Sequence, residues 1–227
     1  MAELGVTDHR LLGGAGRFRD SGMKWDENGH ATAADEINDN AFWHADLREA
    51  ADELVAIIRE VRPQVLATYD PFGGYGHPDH IQAHRVAMYA AQLAAVPSYR
   101  RDLGAPWEIA KIYWNAMSES RMRAGLRALR DAGDTTSFEG MDPDGPLPHF
   151  VTADENLSAV VEADGYTEQK MAALRAYPTQ ITLDGPFFAL SNNVGSTAWG
   201  IEFYRIVKGE RGELGEDGLE TDLFAGV

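Results

Sequence analysis

From Asp46 onward, apolar side chains recur at Leu47, Ala50, Leu54, Ile57, Ile58 and Val61, and Pro63 follows shortly after. A recurrence of about 3.6 residues predicts an amphipathic helix, and the proline predicts where it stops. Val65 to Tyr69 is a short continuous apolar run closed by Asp70-Pro71, the pattern of a strand buried in a parallel sheet. His80 to Ala95 reads as the next helix, with Pro78 tolerated in its first turn and Asp79 favoured by the helix dipole. Helix, strand, glycine-rich loop and helix in that order follow the βαβ grammar of a doubly wound sheet.

The remaining pattern is weaker. Ile109 to Trp114 reads as a strand, Glu119 to Ala132 as a helix, and residues 133 to 148 as a Gly, Asp and Pro-rich loop. Phe150 to Thr152 fits a strand of an added sheet, and Tyr166 to Ala176 is helical by composition. Upstream, Ala2 to Leu4 looks like a helix end closed by Gly5, and His9 to Leu12 like a short strand. The turn Gly13-Gly14-Ala15-Gly16 follows, and residues 24 to 44 read as a long polar surface loop. The acidic, glycine-rich tail from Gly209 reads as a solvated loop.

Composition narrows the function classes. Hydrophobic residues make up 44% of 227, enough for one substantial core, so a single domain over 1–227 is expected. Acidic residues outnumber Lys plus Arg by 36 to 20, a net charge of −16, which argues against nucleic acid or an anionic membrane as partner. The chain has no cysteine, so disulfides, thiol nucleophiles and thiolate metal sites are excluded, and any metal must be held by His, Asp or Glu. No long apolar run and no signal-like segment is present, and a cytoplasmic location is expected.

Candidate chemistry concentrates after the predicted strand. Within GGYGHPDH, residues 73 to 80, lie Tyr75, His77, Asp79 and His80, with Asp70 just before and His84 one helical turn beyond. Two readings of the histidines stand. His80 and His84, spaced i and i+4, would share a metal on one helix face. Alternatively His80 alone is a ligand, while His77 and Tyr75 serve as hydrogen-bonding or proton-transfer groups. Either way this chain offers fewer ligands than the three or so that a catalytic zinc site takes.

Several stretches resemble one known family, the zinc-dependent N-acetylglucosaminyl deacetylases of the LmbE-like group. They are LGGAGRFRDSGM (12–23), VAIIREVRPQVLATYD (55–70), GGYGHPDH (73–80), PWEIAKIYW (106–114), AVVEAD (159–164), ALSNN (189–193) and ETDLFAG (220–226). The resemblance is strongest to the branch acting in mycothiol biosynthesis, whose members remove acetate from N-acetylglucosaminyl-inositol. The mycothiol S-conjugate amidase branch is the alternative: it typically has a proline before HPDH, where this chain has Gly76, and lacks the GGAGR turn. The resemblance implies a Rossmann-like doubly wound, mostly parallel α/β sheet and a Zn2+ cofactor. It implies that His80 is a zinc ligand, that His77 and Tyr75 stabilise the oxyanion, and that Asp79 orients His77. Asp20 would contact the sugar, and Met23 and Phe150 would line the entrance.

The chain departs from that pattern in one respect. The family's AHPDDE motif, which follows its first strand and supplies the other zinc ligands and the general base, does not occur here. The family match begins at Met1, so the fold is expected to lack its first strand and the elements following it. The expectation is therefore a larger working enzyme of which this is the C-terminal part, inactive alone and associating through an exposed sheet edge. A short form that keeps only sugar binding is the other reading.

Overall fold

The computed structural model describes residues 1–27, 30–179, 181 and 200–227. Among these residues the α-helices are α1 (Leu47–Val61), α2 (Pro78–Ala94), α3 (Glu119–Asp131) and α4 (Thr167–Arg175). The strands are β1 (Met23–Trp25), β2 (Ala31–Ala33), β3 (Val65–Thr68), β4 (Lys111–Ser118), β5 (Val151–Thr152), β6 (Ala159–Glu162) and β7 (Ile201–Lys208). The larger sheet has the order β3-β4-β7-β6, with β5 beside β4. Its β3–β4 and β4–β5 pairs are parallel and β6–β7 is antiparallel, so the sheet is mixed rather than uniformly parallel. Among the described residues no helix is long and apolar enough to cross a membrane.

Contacts group the chain into two units. One comprises Arg10–Asn115, Arg205–Gly212 and Leu223–Val227. Its helices form where the apolar spacing predicts. Asp46 caps α1 by accepting from the backbone N–H groups of Arg48 and Glu49, and Arg62 closes it in the left-handed region at φ 52°. Pro78 opens α2 just after His77, whose side chain caps the helix. The core joins Ala51, Val55 and Ile58 of α1 to Ala90, Ala91 and Ala94 of α2, with Ile109 and Ile112 beside them. Small residues along α2 let the two helices approach closely.

The strand β3 pairs in parallel with β4, Val65 opposite Lys111 and Thr68 opposite Trp114. It is less buried than its apolar sequence predicts: Ala67 is exposed and the other three residues are partly so. Among the described residues it stands at the end of the strand order, paired on one side only, which accounts for this.

Two expectations in this unit fail. Arg10 to Leu12 are not a strand: Arg10 makes a two-point ion pair with Glu60 of α1 at 2.9 Å, and Leu11 stays 57% exposed. So brief a run with nothing to bury gains little from pairing. Residues 24 to 44 are not all loop. Met23–Trp25 and Ala31–Ala33 form an antiparallel hairpin, and Phe42–His44 a 3₁₀ turn. Strands three residues long are too short to leave a period in the sequence.

The other unit comprises Met1–His9, Ala116–Tyr204 and Glu213–Asp222. Ala2–Leu4 is a 3₁₀ turn closed by Gly5 at φ 71°, matching the expected helix end. Helix α3 starts at a Ser118 cap, whose hydroxyl also donates to Asp154 at 2.7 Å, and buries Met122, Leu126 and Leu129. The tail is only partly the solvated loop its composition predicts. Glu220 is fully buried and bonds through its backbone to Ser158 and Val160, against β6.

Candidate functional site

The turn after β3 is built by Asp70. Its carbonyl accepts from Gly73 N–H at 2.9 Å and its side chain from Gly74 N–H at 2.9 Å, which folds residues 70 to 74 back on themselves. Gly73 has φ +71°, and a Cβ there would lie 2.6 Å from the Ile81 nitrogen and 2.9 Å from backbone and Cβ atoms of His80. Only glycine satisfies both the backbone and the close approach. The turn therefore places Tyr75 and His77 directly before α2.

Four rings gather here. His80 stacks on Tyr69 at 4.1 Å between centroids and 9° between planes, and on His77 at 4.8 Å and 28°. Tyr75 sits edge-on to His80 at 5.1 Å and to His77 at 6.2 Å. His80 Nδ1 is 3.2 Å from the Gly73 carbonyl, so it carries the proton and Nε2 keeps its lone pair. Burial lowers the His80 pKa, reinforced by neighbouring His77, so the imidazole is neutral at pH 7. A neutral imidazole whose second nitrogen is tied to a carbonyl is the form in which histidine binds a metal.

His77 is buried and wired the opposite way. Its Nδ1 accepts the Asp79 backbone N–H at 3.1 Å, which puts the ring proton on Nε2 and makes that atom a donor. Burial raises the Tyr75 pKa, helped by nearby Tyr69 and Asp20, so its phenol stays protonated and can also donate. The Asp79 carboxylate does not reach for His77. It accepts from Ser21 N–H at 2.8 Å and from Ser21 Oγ–H at 2.5 Å, and the residue touches His77 through its backbone alone.

Asp20 completes the cluster: it has one ligand-type atom within 4.8 Å of those of His77 and Asp79. It is exposed, and one carboxylate oxygen holds the Gly22 N–H at 2.7 Å. This donor set is nitrogen and oxygen without thiolate, which suits a divalent metal of zinc type. His80 stands outside that trio yet fits a metal best, since the Asp79 oxygens and His77 Nδ1 already hold protein N–H or O–H groups. His84 is set apart from this group: its Nδ1 meets the Tyr69 carbonyl at 2.8 Å and its ring packs edge-on to Trp114.

The structure thus brings together Asp20, Tyr75, His77, Asp79 and His80. Met23 begins β1, and two positions on along that strand the 57% exposed Trp25 lies 6.1 Å from the Tyr75 ring. Phe150 belongs to the other unit, where it is edge-on to His149 at 5.9 Å. The ALSNN stretch at 189–193 lies outside the described residues. Sequence reasoning passed over Ser21, Tyr69 and Trp25. Tyr69 was open to inference as the residue that leads from β3 into the loop; Ser21 and Trp25 had no signal beyond standing near Asp20 and Met23.

One consequence is testable on Gly73 alone. Gly73→Ala should weaken metal binding about 10-fold or more, because the added Cβ must displace His80 or its carbonyl partner. Competition with a chelator measures it.

A family model described as PIG-L, GlcNAc-PI de-N-acetylase, matches residues 1–91. Relatives named 1D-myo-inositol 2-acetamido-2-deoxy-alpha-D-glucopyranoside deacetylase match the whole chain. The protein of a Nocardioides species is 79% identical, and 75% of its length is covered. That of Kribbella flavida is 62% identical with 75% covered, and that of Geodermatophilus obscurus 53% identical with 74% covered. With identity this high along its entire length, the chain belongs to the LmbE-like (PIG-L) de-N-acetylase family.

Proposed function

We propose that this chain carries the oxyanion-binding side of a zinc-dependent hydrolase that removes the N-acetyl group from 1D-myo-inositol 2-acetamido-2-deoxy-α-D-glucopyranoside, a step of mycothiol biosynthesis. The observation that carries this reading is the opposed wiring of two stacked imidazoles, one presenting a lone pair and the other an N–H. The names of its relatives supply the substrate.

His80 would hold the zinc through Nε2, with the Gly73 carbonyl fixing its tautomer. When bound, the metal supplies a water of lowered pKa, about 7, as nucleophile. Attack on the acetamide carbonyl puts negative charge on its oxygen. His77 Nε2–H and the Tyr75 hydroxyl, both held as donors before substrate arrives, stabilise that charge. Asp20, exposed beside them, accepts hydrogen bonds from sugar hydroxyls, and Met23 gives apolar contact at the entrance.

The test is release of acetate and free amine from the acetylated glucosaminyl-inositol by the zinc-loaded full-length protein. In it, His77→Ala should keep its zinc and lower kcat about 100- to 1,000-fold, the usual cost of losing one oxyanion donor. Wild-type turnover in that variant removes His77 from the mechanism.

A further inference from the structure

Ser21 is 3% exposed and joins two segments 58 residues apart in sequence. Its N–H donates to Oδ2 of Asp79 at 2.8 Å and its hydroxyl to Oδ1 at 2.5 Å, so one residue occupies both carboxylate oxygens. The serine oxygen in turn accepts the Trp43 backbone N–H at 3.2 Å. That bond turns the single hydroxyl proton toward Asp79. Hydrogen bonds to a carboxylate are among the stronger kinds, and two from one buried residue fix it in orientation as well as position. Asp79 stands in the first turn of α2, and its backbone N–H sets the His77 ring.

We propose that Ser21 is a positioning residue for hydrolysis: by clamping the Asp79 carboxylate it holds the Asp79 N–H against His77 Nδ1 and so keeps the His77 proton on Nε2, facing the reaction. The same clamp reserves Asp79 for structure, although its carboxylate lies close enough to Asp20 and His77 to share a metal with them. It also ties the loop bearing Asp20 to the helix bearing His77 and His80, the sugar-binding and reacting parts of the site. This inference rests on the reading of His77 as an oxyanion donor.

Two measurements test it. In the zinc-loaded full-length protein, Ser21→Ala should lower kcat about 10- to 100-fold, the usual effect of removing a residue that orients a metal-site group. KM should move less than about threefold, because the lost contact acts on the transition state rather than on substrate affinity. Ser21→Thr, which keeps the hydroxyl, should recover most of the rate. In an Asp79→Asn background Ser21→Ala should add less than about twofold, since the two residues act as one unit. An unchanged kcat, full additivity in that background, or a Ser21→Thr protein that melts like wild type yet is as slow as Ser21→Ala overturns the proposal.

The second measurement needs no turnover. Imidazole nitrogen NMR of the metal-free protein should show His77 with Nδ1 unprotonated, and Ser21→Ala should shift it toward an average of both tautomers. An identical His77 pattern in the variant overturns the proposal. If the wild-type protein releases no acetate, the deacetylase reading fails, and this second measurement still decides the role of Ser21.

Discussion

Replacing His80 with alanine is expected to strip the full-length protein of zinc and to lower deacetylation by more than about 1,000-fold, the scale on which a metal-supplied nucleophile contributes. The effect is large because most neighbouring donor atoms are already engaged. Within the cluster, His77 Nδ1 and both Asp79 oxygens already accept hydrogen bonds, and His84 is turned to the Tyr69 carbonyl. The fold should tolerate the change. His80 is only partly buried, and its chief losses are the Tyr69 stack and one bond to Gly73, which are worth about 1 to 2 kcal/mol together. Metal analysis of the purified variant, with a melt to confirm folding, separates loss of a ligand from loss of structure. A His80→Ala protein that keeps stoichiometric zinc would move the metal to the Asp20, His77 and Asp79 group, and with it the whole assignment of roles. His77→Ala provides the contrast, since it should lose rate and keep metal.

Much of this site was legible because its residues are contiguous. Tyr75, His77, Asp79 and His80 fall in one loop and one helical turn, so local sequence already places them side by side. Helix α1 was legible for the same kind of reason: six apolar positions on one stripe, an aspartate cap and a following proline. What escaped reading depends on partners far along the chain. Strand β7 is partly buried along most of its length, so it shows no clean alternation, and β6 is only four residues long. Nothing near Ser21 announces an acceptor at Asp79. Glu220, in an acidic tail, gives no local hint that it is fully buried. The tautomers of His77 and His80 come from two backbone groups, Asp79 N–H and Gly73 C=O, that no residue pattern encodes.

Arg59 is the strongest case of a role hidden from sequence, and its removal should have the largest effect on stability. In the last turn of an amphipathic helix, an arginine reads as a surface cation favoured by the helix dipole. Instead it is 3% exposed. Its guanidinium spreads over six carbonyls: Nε to Ala94, Nη1 to Tyr99, Arg100 and Gly104, and Nη2 to Leu93 and Val96, at 2.8 to 3.3 Å. The carbonyls of Leu93 and Ala94 belong to the end of α2, beyond its regular ladder, and each also accepts a backbone N–H, from Val96 at 3.1 Å and from Trp107 at 2.9 Å. The others belong to the segment leading toward β4, which includes Arg100 at φ 35° and Gly104 at φ 103°. One side chain of α1 thus finishes α2 and holds the chain that follows it. Arg59→Ala removes all six of these bonds, although the carbonyls of Leu93, Ala94, Val96 and Arg100 keep a backbone N–H partner, and should cost about 3 to 5 kcal/mol. Arg59→Lys keeps the charge but brings three donors on a single point, so about 2 kcal/mol should be lost even there. Urea unfolding of the two variants measures both. If the Arg59→Ala midpoint corresponds to a change below about 0.5 kcal/mol, the clamp contributes nothing beyond an ordinary surface arginine. The site should register the same loss, since α2 carries His80 in its first turn and is tied at its start by Ser21 and at its end by Arg59. Zinc should therefore leave the Arg59→Ala protein at lower urea than the wild type, in step with unfolding, whereas the His80→Ala protein lacks zinc while still folded.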